Sequence, residues 1–261
     1  MRSLSTAASG MLAQQLNVEV ISNNIANMNT TGFKRQRADF QDLLYQNLQV
    51  VGADSSDAGT IVPSGVQVGV GVRAGAVYRV SEQGDLTITN NDYDLAISGQ
   101  GFFRVQLPSG EDAYTRAGSF QVGPDGQIVT PQGYVVGPGV AIPEGARDVA
   151  INESGQVQVL LDGDPTPQTV GQFELATFIN PAGLEATGDN LFLETAASGA
   201  ANVGVPGGVG FGRVMQGFLE TSNVNAVQEI TALIEAQRAY EMNAKVITAS
   251  DEMLQAGTNV R

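Results

Sequence analysis

Two short stretches of this sequence carry residue types whose spacing could bind a ligand. Gly69–Ala74 matches the G-x-G-x-x-A pattern of a dinucleotide site, but Gly75–Tyr78, where the helix should begin, is strand-like. Asn90–Asp94 begins like a calcium loop, yet Leu95 replaces the required glycine and Gly101 stands where the closing glutamate should be. We therefore interpret the first stretch as part of a strand-like region and the second as a polar turn before a buried strand, and we predict neither cofactor nor metal.

The composition excludes residue types that many enzymes use for catalysis. The chain has no cysteine and no histidine, so it has no thiol, no imidazole base and no zinc site of the usual kind. Its carboxylates are scattered, and no pair can be placed at a catalytic spacing from sequence alone. We predict no catalytic residue, and a protein that is not an enzyme.

The charge narrows the range of partners. A net charge of −14 argues against nucleic acid and anionic membranes as partners. The one basic cluster, Lys34, Arg35 and Arg37, is either a solvated turn or a contact with an acidic surface of an adjacent subunit. No apolar run approaches the ~18 residues of a membrane span, and polar residues interrupt the N-terminal apolar stretch, which argues against a cleaved secretory signal.

The elements that would position any site begin with helices at both ends, predicted over 1–28 and 225–256. Each carries an apolar residue every seven positions, the spacing of a coiled-coil seam. The seam positions are Leu4, Met11, Val18, Ile25, Ala226, Ile230, Leu233, Tyr240, Ile247 and Leu254. Asn225 is a candidate N-cap with Gln228 three residues on, and Gly257 a candidate stop. Periodicity leaves open whether the helices pair only with each other or also with other copies.

The middle of the chain reads as short strands separated by turns. Val66–Val72 alternates apolar residues with polar residues or glycine, and Pro124–Gly126 between two apolar runs predicts a hairpin. Polar or glycine-rich stretches at 46–65 and 196–212 read as loops on either side. The predicted fold class is α+β, with long terminal helices forming a coiled-coil unit and an inserted antiparallel, barrel-like β-rich domain.

Three separated motifs resemble signatures of the bacterial flagellar rod and hook proteins. The first is Asn23–Lys34, NNIANMNTTGFK. The second is Leu95–Phe103, LAISGQGFF, followed by Tyr114–Phe120, YTRAGSF. The third is Gly217–Asn225, GFLETSNVN, followed by Ile234–Glu241, IEAQRAYE. Their order and their spread over nearly the whole chain make a chance match improbable.

The resemblance implies roles for particular residues. The N-terminal motif would contribute Asn23, Asn24, Ala26, Asn27, Thr31, Gly32 and Phe33. Length and the Leu43–Arg73 stretch most resemble members of the distal rod. In that group an additional segment, about Gln46–Val68 here, is linked to a straight, stiff rod. Its candidate residues are Gln46, Val62, Pro63, Gly65 and Val68.

The resemblance also implies an architecture and a function. Residues 1–32 and 222–261 would form the helical core, 33–75 an extended stiffening linker, and 76–221 the outer β-rich domain. The chain would be a structural subunit of the distal rod, a helical homopolymer that encloses the export channel and transmits torque to the hook. Implied partners are proximal rod and hook proteins, peptidoglycan and outer-membrane ring proteins, and the type III export apparatus.

The same resemblance implies a location and leaves rivals open. The rod would span the periplasm in the flagellar basal body, and the chain would be exported without a cleaved signal peptide. The alternatives are a proximal rod or hook subunit of the same family and, from another class, a secreted β-rich adhesin whose helical ends form a stalk.

Overall fold

The computed structural model describes residues 2–49, 64–162 and 166–259. The two α-helices are α1 (Arg2–Ala26) and α2 (Ala226–Asn259), and a 3₁₀ turn covers Pro181–Gly183. The strands are β1 (Gln36–Asp42), β2 (Tyr45–Gln49), β3 (Val66–Gly69), β4 (Val72–Arg79), β5 (Leu86–Ile88), β6 (Leu95–Ser98), β7 (Phe102–Gln106), β8 (Asp112–Thr115), β9 (Gln121–Val122), β10 (Ile128–Val129), β11 (Val135–Val136), β12 (Ala146–Ile151), β13 (Gln156–Leu161), β14 (Gln168–Gln172), β15 (Leu175–Thr177), β16 (Glu185–Gly188), β17 (Leu191–Leu193), β18 (Asn202–Gly204), β19 (Arg213–Gln216) and β20 (Phe218–Glu220).

The α+β class is confirmed, with one helix at each end and a β-rich middle. The described strands form open sheets and close no barrel, which corrects the barrel-like expectation. The chain divides into two compact units. The first unit comprises Met1–Ile25, Gln36–Tyr78 and Asn225–Arg261, and the second comprises Ala26–Arg35 and Arg79–Val224.

Local capping explains where α2 begins. The backbone N–H groups of Val227 and Gln228 donate to Asn225 Oδ1 at 3.1 and 3.3 Å, so the predicted N-cap is confirmed. The predicted stop at Gly257 is wrong, because α2 continues to Asn259. A glycine inside a helix costs only about 1 kcal/mol relative to alanine, which neighbouring helical residues outweigh.

Along the part of the chain that is described, no helix is long and apolar enough to cross a bilayer.

In the first unit, two strand pairs accompany the helices. β1 pairs with β4, and β2 pairs antiparallel with β3. The predicted loop from Gln46 therefore begins as a strand, and Gln46 lies opposite Val68. Gly69–Ala74 joins β3 to β4, so a strand follows it and the dinucleotide pattern has no helix.

In the second unit, a nine-stranded sheet has β7 at its centre, paired with β8, β11 and β15. Smaller sheets join β12–β13–β14, β6–β19 and β5–β20. Phe103 of β7 lies in the core, edge-to-face with Phe120 at 5.1 Å and with Phe173 at 6.5 Å between ring centroids. The predicted hairpin is confirmed, because Pro124–Gly126 connects β9 to β10.

The calcium-like stretch is a closed turn. The buried Asp94 carboxylate accepts hydrogen bonds from Thr89 Oγ1 at 2.7 Å and from Asn91 Nδ2 at 3.0 Å. Its oxygens therefore hold the turn that leads into β6 together.

Candidate functional site

The centre of the second unit is a buried ion triad formed by Lys34, Arg116 and Glu220. The Glu220 carboxylate is 1% exposed and receives Lys34 Nζ at 2.5 Å on Oε1 and Arg116 Nε at 2.6 Å on Oε2. The Gly84 N–H also donates to Oε1 at 3.0 Å. Buried charges are tolerated when they are paired and hydrogen-bonded, and this carboxylate is both.

The guanidinium of Arg116 connects the triad to the turn after β6. It donates to the carbonyl oxygens of Ile97 at 3.2 Å, Gly99 at 2.5 Å and Gly101. Its other contact is the Glu220 carboxylate, so its donors hold the turn and the triad in one arrangement.

The triad therefore joins residues from all three motifs. Lys34 comes from the first, Arg116 from the second and Glu220 from the third. The prediction of a solvated turn is wrong for Lys34, because its ammonium is buried within its own chain. The contacts responsible are Glu220 and the carbonyl oxygen of Glu82, 2.7 Å away. A contact of the basic cluster with an adjacent subunit stays a prediction.

The environment shifts the pKa values of two members in the same direction for different reasons. Burial alone would raise the pKa of the Glu220 carboxyl, but the Arg116 charge and the Lys34 hydrogen bond and charge together bring it below its ordinary value. Burial lowers the pKa of the Lys34 ammonium, and Glu220 offsets this only in part. The carboxyl is thus held ionised by its cationic neighbours.

Gly32 explains why the first motif needs a glycine. Its φ is +68°, and a Cβ there would lie 2.7 Å from the backbone nitrogen of Ala117 and the carbonyl carbon of Arg116. Its N–H donates to the carbonyl oxygen of Glu220 at 2.8 Å. Both the backbone angle and the close approach exclude a side chain, so this glycine seats the first motif against the other two.

Asn24 forms a second buried junction, in the first unit. Its amide exchanges two hydrogen bonds with the backbone of Gln36, both at 2.8 Å, and Nδ2 also donates to Glu229 Oε2 at 3.1 Å. Asn24 and Glu229 are each 1% exposed. The asparagine thus uses both amide hydrogens and its oxygen to connect α1, β1 and α2.

The other motif residues are less buried. Asn23 and Ala26 are exposed, and Phe33 is half-buried. Asn27 Oδ1 accepts from Thr30 Oγ1 at 3.1 Å, and the carbonyl oxygen of Thr31 accepts from Asn190 Nδ2 at 3.3 Å. Of the predicted motif residues, Asn24 and Gly32 therefore carry the buried contacts.

α1 and α2 pack antiparallel along a line of small and polar residues. Ser3 Oγ lies 3.3 Å from Ser250 Oγ, and Asn24 contacts Glu229 at the other end. Between them, a Cβ on Gly10 would lie 2.9 Å from Asn243 Nδ2. On each helix the contacting residues are seven or fourteen positions apart. The contact between the helices therefore has heptad spacing, but its residues are small or polar.

The predicted apolar seams lie beside this contact line. On α1, all four seam positions are half-buried: Leu4, Met11, Val18 and Ile25. On α2, Leu233 and Ile247 are half-buried, whereas Ile230, Tyr240 and Leu254 are exposed. The pairing of the two helices thus leaves apolar seam residues uncovered, and their assembly role stays a prediction.

α2 exposes many large apolar side chains along its length, each 41–74% exposed. They are Val227, Ile230, Ile234, Tyr240, Met242, Val246, Met253 and Leu254. Leu12 of α1 is similarly exposed. They are spread around the helix, and exposed apolar side chains in this number are typical of a helix that contacts other proteins.

The predicted stiffening segment is described only at its ends. Gln46 and Val68 pair across the β2–β3 ladder, and Gly65 precedes β3. The hairpin exposes Tyr45, Leu48, Val66 and Val68. Val62 and Pro63 lie outside the described residues. The ladder itself therefore presents apolar side chains to solvent.

Sequence reasoning missed the triad and the polar helix contact. Glu220 and Arg116 were visible only as motif members, and the distances of 186 and 104 residues along the chain hide their pairing. A weak signal did exist for Glu220, a carboxylate flanked by the apolar run Phe218–Leu219.

Comparison with known proteins gives a consistent result. Three family profiles match: flagella basal body rod protein over residues 4–34, flagellar hook protein FlgE/F/G D1 domain over 96–159, and flagellar basal body rod FlgEFG protein C-terminal over 215–260. The flagellar basal-body rod protein FlgG of Caulobacter vibrioides is 65% identical over 261 residues, covering all of both chains. That of Agrobacterium fabrum is 51% identical over 253 residues, 97% of each chain. FlgF of Caulobacter vibrioides is 37% identical over 239 residues, covering 90% of this chain and 88% of FlgF.

Proposed function

The chain belongs to the family of flagellar basal-body rod proteins and is a structural subunit of the distal rod, and from that premise we propose how it assembles and what it transmits. Copies add head to tail into a straight helical tube around the export channel. The tube spans the periplasm and carries motor torque to the hook. A head-to-tail contact that does not close on itself generates such an open filament.

The observation that carries this proposal is that the terminal helices contact each other through one set of residues and expose another set. One line of small and polar residues is used within the chain, as the contacts of Ser3 with Ser250 and of Asn24 with Glu229 illustrate. The exposed apolar residues of α2 are left for other copies. Burying them between copies yields about 25 cal/mol for each Å² of apolar surface removed from water.

The stiffening role of residues 46–68 rests on the exposed β2–β3 hairpin. Its apolar side chains include Leu48 and Val66, which are 58% and 47% exposed. Packed against a neighbouring copy, the hairpin would oppose sliding between subunits, which is what bending of a helical tube requires. A rod built this way is straight and stiff.

Further partners follow from the place in the flagellum. The tube joins the proximal rod below and the hook above, and it turns inside the peptidoglycan and outer-membrane rings. The export apparatus delivers the chain through the channel without cleaving a signal peptide. The role is mechanical and needs no enzymatic activity, cofactor or metal.

The test is electron microscopy of basal bodies isolated from cells that lack this chain. We expect a truncated rod without a hook, restored to full length when the chain is supplied again. A complete rod lacking only the hook would reassign the chain as a hook subunit. Intact motile flagella would contradict a rod role altogether.

The alternative is a proximal rod subunit of the same family, which contains more than one rod protein, since the basal-body rod protein FlgF is also 37% identical over most of the chain. The position at which the rod ends in the same micrographs separates the two. A stump confined to the inner membrane side would favour the proximal role, and a rod that stops midway across the periplasm would favour the distal one.

A further inference from the structure

A surface cavity of about 220 Å³ lies in the second unit beside the ion triad. Phe102, Phe178 and Phe192 form an aromatic wall, with ring centroids 5.9 and 6.0 Å from Phe102. Arg79 lies against this wall, its guanidinium carbon 4.7 Å from the centroid of Phe192. The cavity therefore combines a flat apolar surface with a cation stacked on it.

The lining of the cavity is rich in cations. Lys34, Arg79 and Arg116 all line it, and the lining residues that the structure describes include no carboxylate. Glu220 is not part of the lining, and its carboxylate is shared by Lys34 and Arg116. Two of the three positive charges thus compete for one negative charge, and the third has none.

Arg79 is that third cation. Its Nη1 donates to the carbonyl oxygen of Leu184 at 2.8 Å, and across the described ranges it forms no ion pair. Burial lowers the pKa of its guanidinium below the ordinary value. A guanidinium has five N–H donors in a fork that matches a carboxylate, and among the described residues Arg79 has one hydrogen-bond acceptor, the Leu184 carbonyl oxygen.

The positive charge is local. The whole chain carries 27 acidic residues against 13 basic ones, so this cavity is a cationic spot on an acidic molecule. A concave site with low-dielectric walls concentrates its field and attracts groups of opposite charge. The ligand that fits is a carboxylate attached to an apolar stem.

We propose that this cavity receives a carboxylate side chain from a second copy of the chain, with the guanidinium of Arg79 as its main partner. The inference rests on the proposed function, since a homopolymer places copies of the chain next to one another. Exposed acidic side chains are available on the same unit, among them Glu111, Asp125 and Glu144. A cavity filled by a group from elsewhere on the surface is a heterologous contact, the kind that builds an open filament.

The size and rim of the cavity favour a side chain over a free small molecule. Its volume is below the roughly 300–1,000 Å³ of typical small-molecule sites. Ile179 at the rim is 94% exposed, an apolar surface that an approaching protein would cover. A free carboxylate would leave that side chain in water.

The experiment is site-specific photo-crosslinking in cells. A benzophenone amino acid replaces Ile179 in the full chain, and irradiated basal bodies are analysed for a product of two chains' mass. We expect that product, linked to a peptide that contains an aspartate or glutamate. Arg79→Gln should lower its yield about tenfold, because a charge-assisted pair of about 1.4 kcal/mol is lost. Arg147→Gln, at an exposed arginine of β12, is the matched control and should leave the yield unchanged.

Arg79→Lys retains the charge without the fork and should give an intermediate yield. A yield as low as that of Arg79→Gln would assign Arg79 to packing and overturn the inference. So would a link to a different protein, no two-chain product in intact rods, or an undiminished product in Arg79→Gln. In each of these cases rods still contain the chain, whereas rods formed without it would contradict the proposed function itself.

Discussion

At the residue scale, one carboxylate organises the second unit. Glu220 pairs with Lys34 and Arg116, and its backbone carbonyl accepts from Gly32. Removing one partner of a buried ion pair leaves the remaining charges desolvated without compensation. A conservative substitution at Glu220 should therefore be strongly destabilising.

We expect Glu220→Gln to lower the free energy of unfolding by about 3 kcal/mol, because two buried cations lose their counter-charge. Urea unfolding of the purified chain measures it. The matched control is Glu153→Gln, whose partner Arg213 lies 3.0 Å away but whose pair is 67% and 72% exposed. That change should cost less than about 1 kcal/mol. Equal losses in both variants would show that burial of the triad is energetically irrelevant.

The same carboxyl should make the unit acid-sensitive. Its folded pKa lies below the ordinary value of 4.5, so the folded chain releases this proton more readily than the unfolded chain. The stabilisation is complete above the unfolded pKa and is lost as pH falls through the folded pKa. Between about pH 5 and pH 3, unfolding free energy should therefore fall less steeply in Glu220→Gln than in the native chain. Parallel pH profiles would contradict this assignment.

At the scale of elements, the two terminal helices separate an intrachain contact from an outward apolar face. Polar residues at regular positions between paired helices fix how the helices align along their length, and they lower the stability of the pair. Here Asn24 and Glu229 fix that alignment within one chain. The outward side of α2, which includes Ile230 and Ile234, exposes apolar surface that another copy could bury.

We expect Ile230→Asp to leave the free chain folded and to prevent its incorporation into rods. The side chain is 49% exposed, so the helix pair tolerates the charge, but burial between copies would cost several kcal/mol in every subunit. Leu233→Asp, at a half-buried seam position, should block assembly and also weaken the helix pair. Rod length and swimming report on assembly, and circular dichroism reports on the fold.

The control for these variants is Gln228→Asp, which adds the same charge at an exposed polar position in the first turn of α2. Negative charge there is favourable to the helix dipole, so rods should form normally. Normal rods from Ile230→Asp would remove the exposed face of α2 from the assembly contacts.

At the scale of the whole molecule, stiffness should depend on residues 46–63. Deleting Gln46–Pro63 removes one side of the exposed β2–β3 hairpin, and we expect a curved or flexible rod of normal subunit content. Electron microscopy of isolated rods measures their curvature. Rods that remain straight after the deletion would contradict the hypothesis that this segment stiffens the rod.

The sequence by itself determined the features that depend on neighbours along the chain. Heptad spacing predicted both helices, Asn225 predicted the start of α2, and Pro124–Gly126 predicted a hairpin. Each rests on local backbone chemistry within a few residues. Three motifs also sufficed to indicate the family, which the comparisons confirmed.

Only the tertiary structure decided which of these residues meet. The sequence predicts Lys34 either in a solvated turn or against an adjacent subunit, and the structure buries it against Glu220, 186 residues away. Asn24 likewise contacts Glu229, 205 residues away. The two helices contact each other at Ser3, Gly10 and Asn24, positions that the predicted apolar heptads did not include. The seven-residue spacing of apolar residues shows that one side of a helix is suited to packing. The partner of that side depends on long-range packing, in which close approach and satisfied hydrogen bonds outweigh hydrophobicity at single positions.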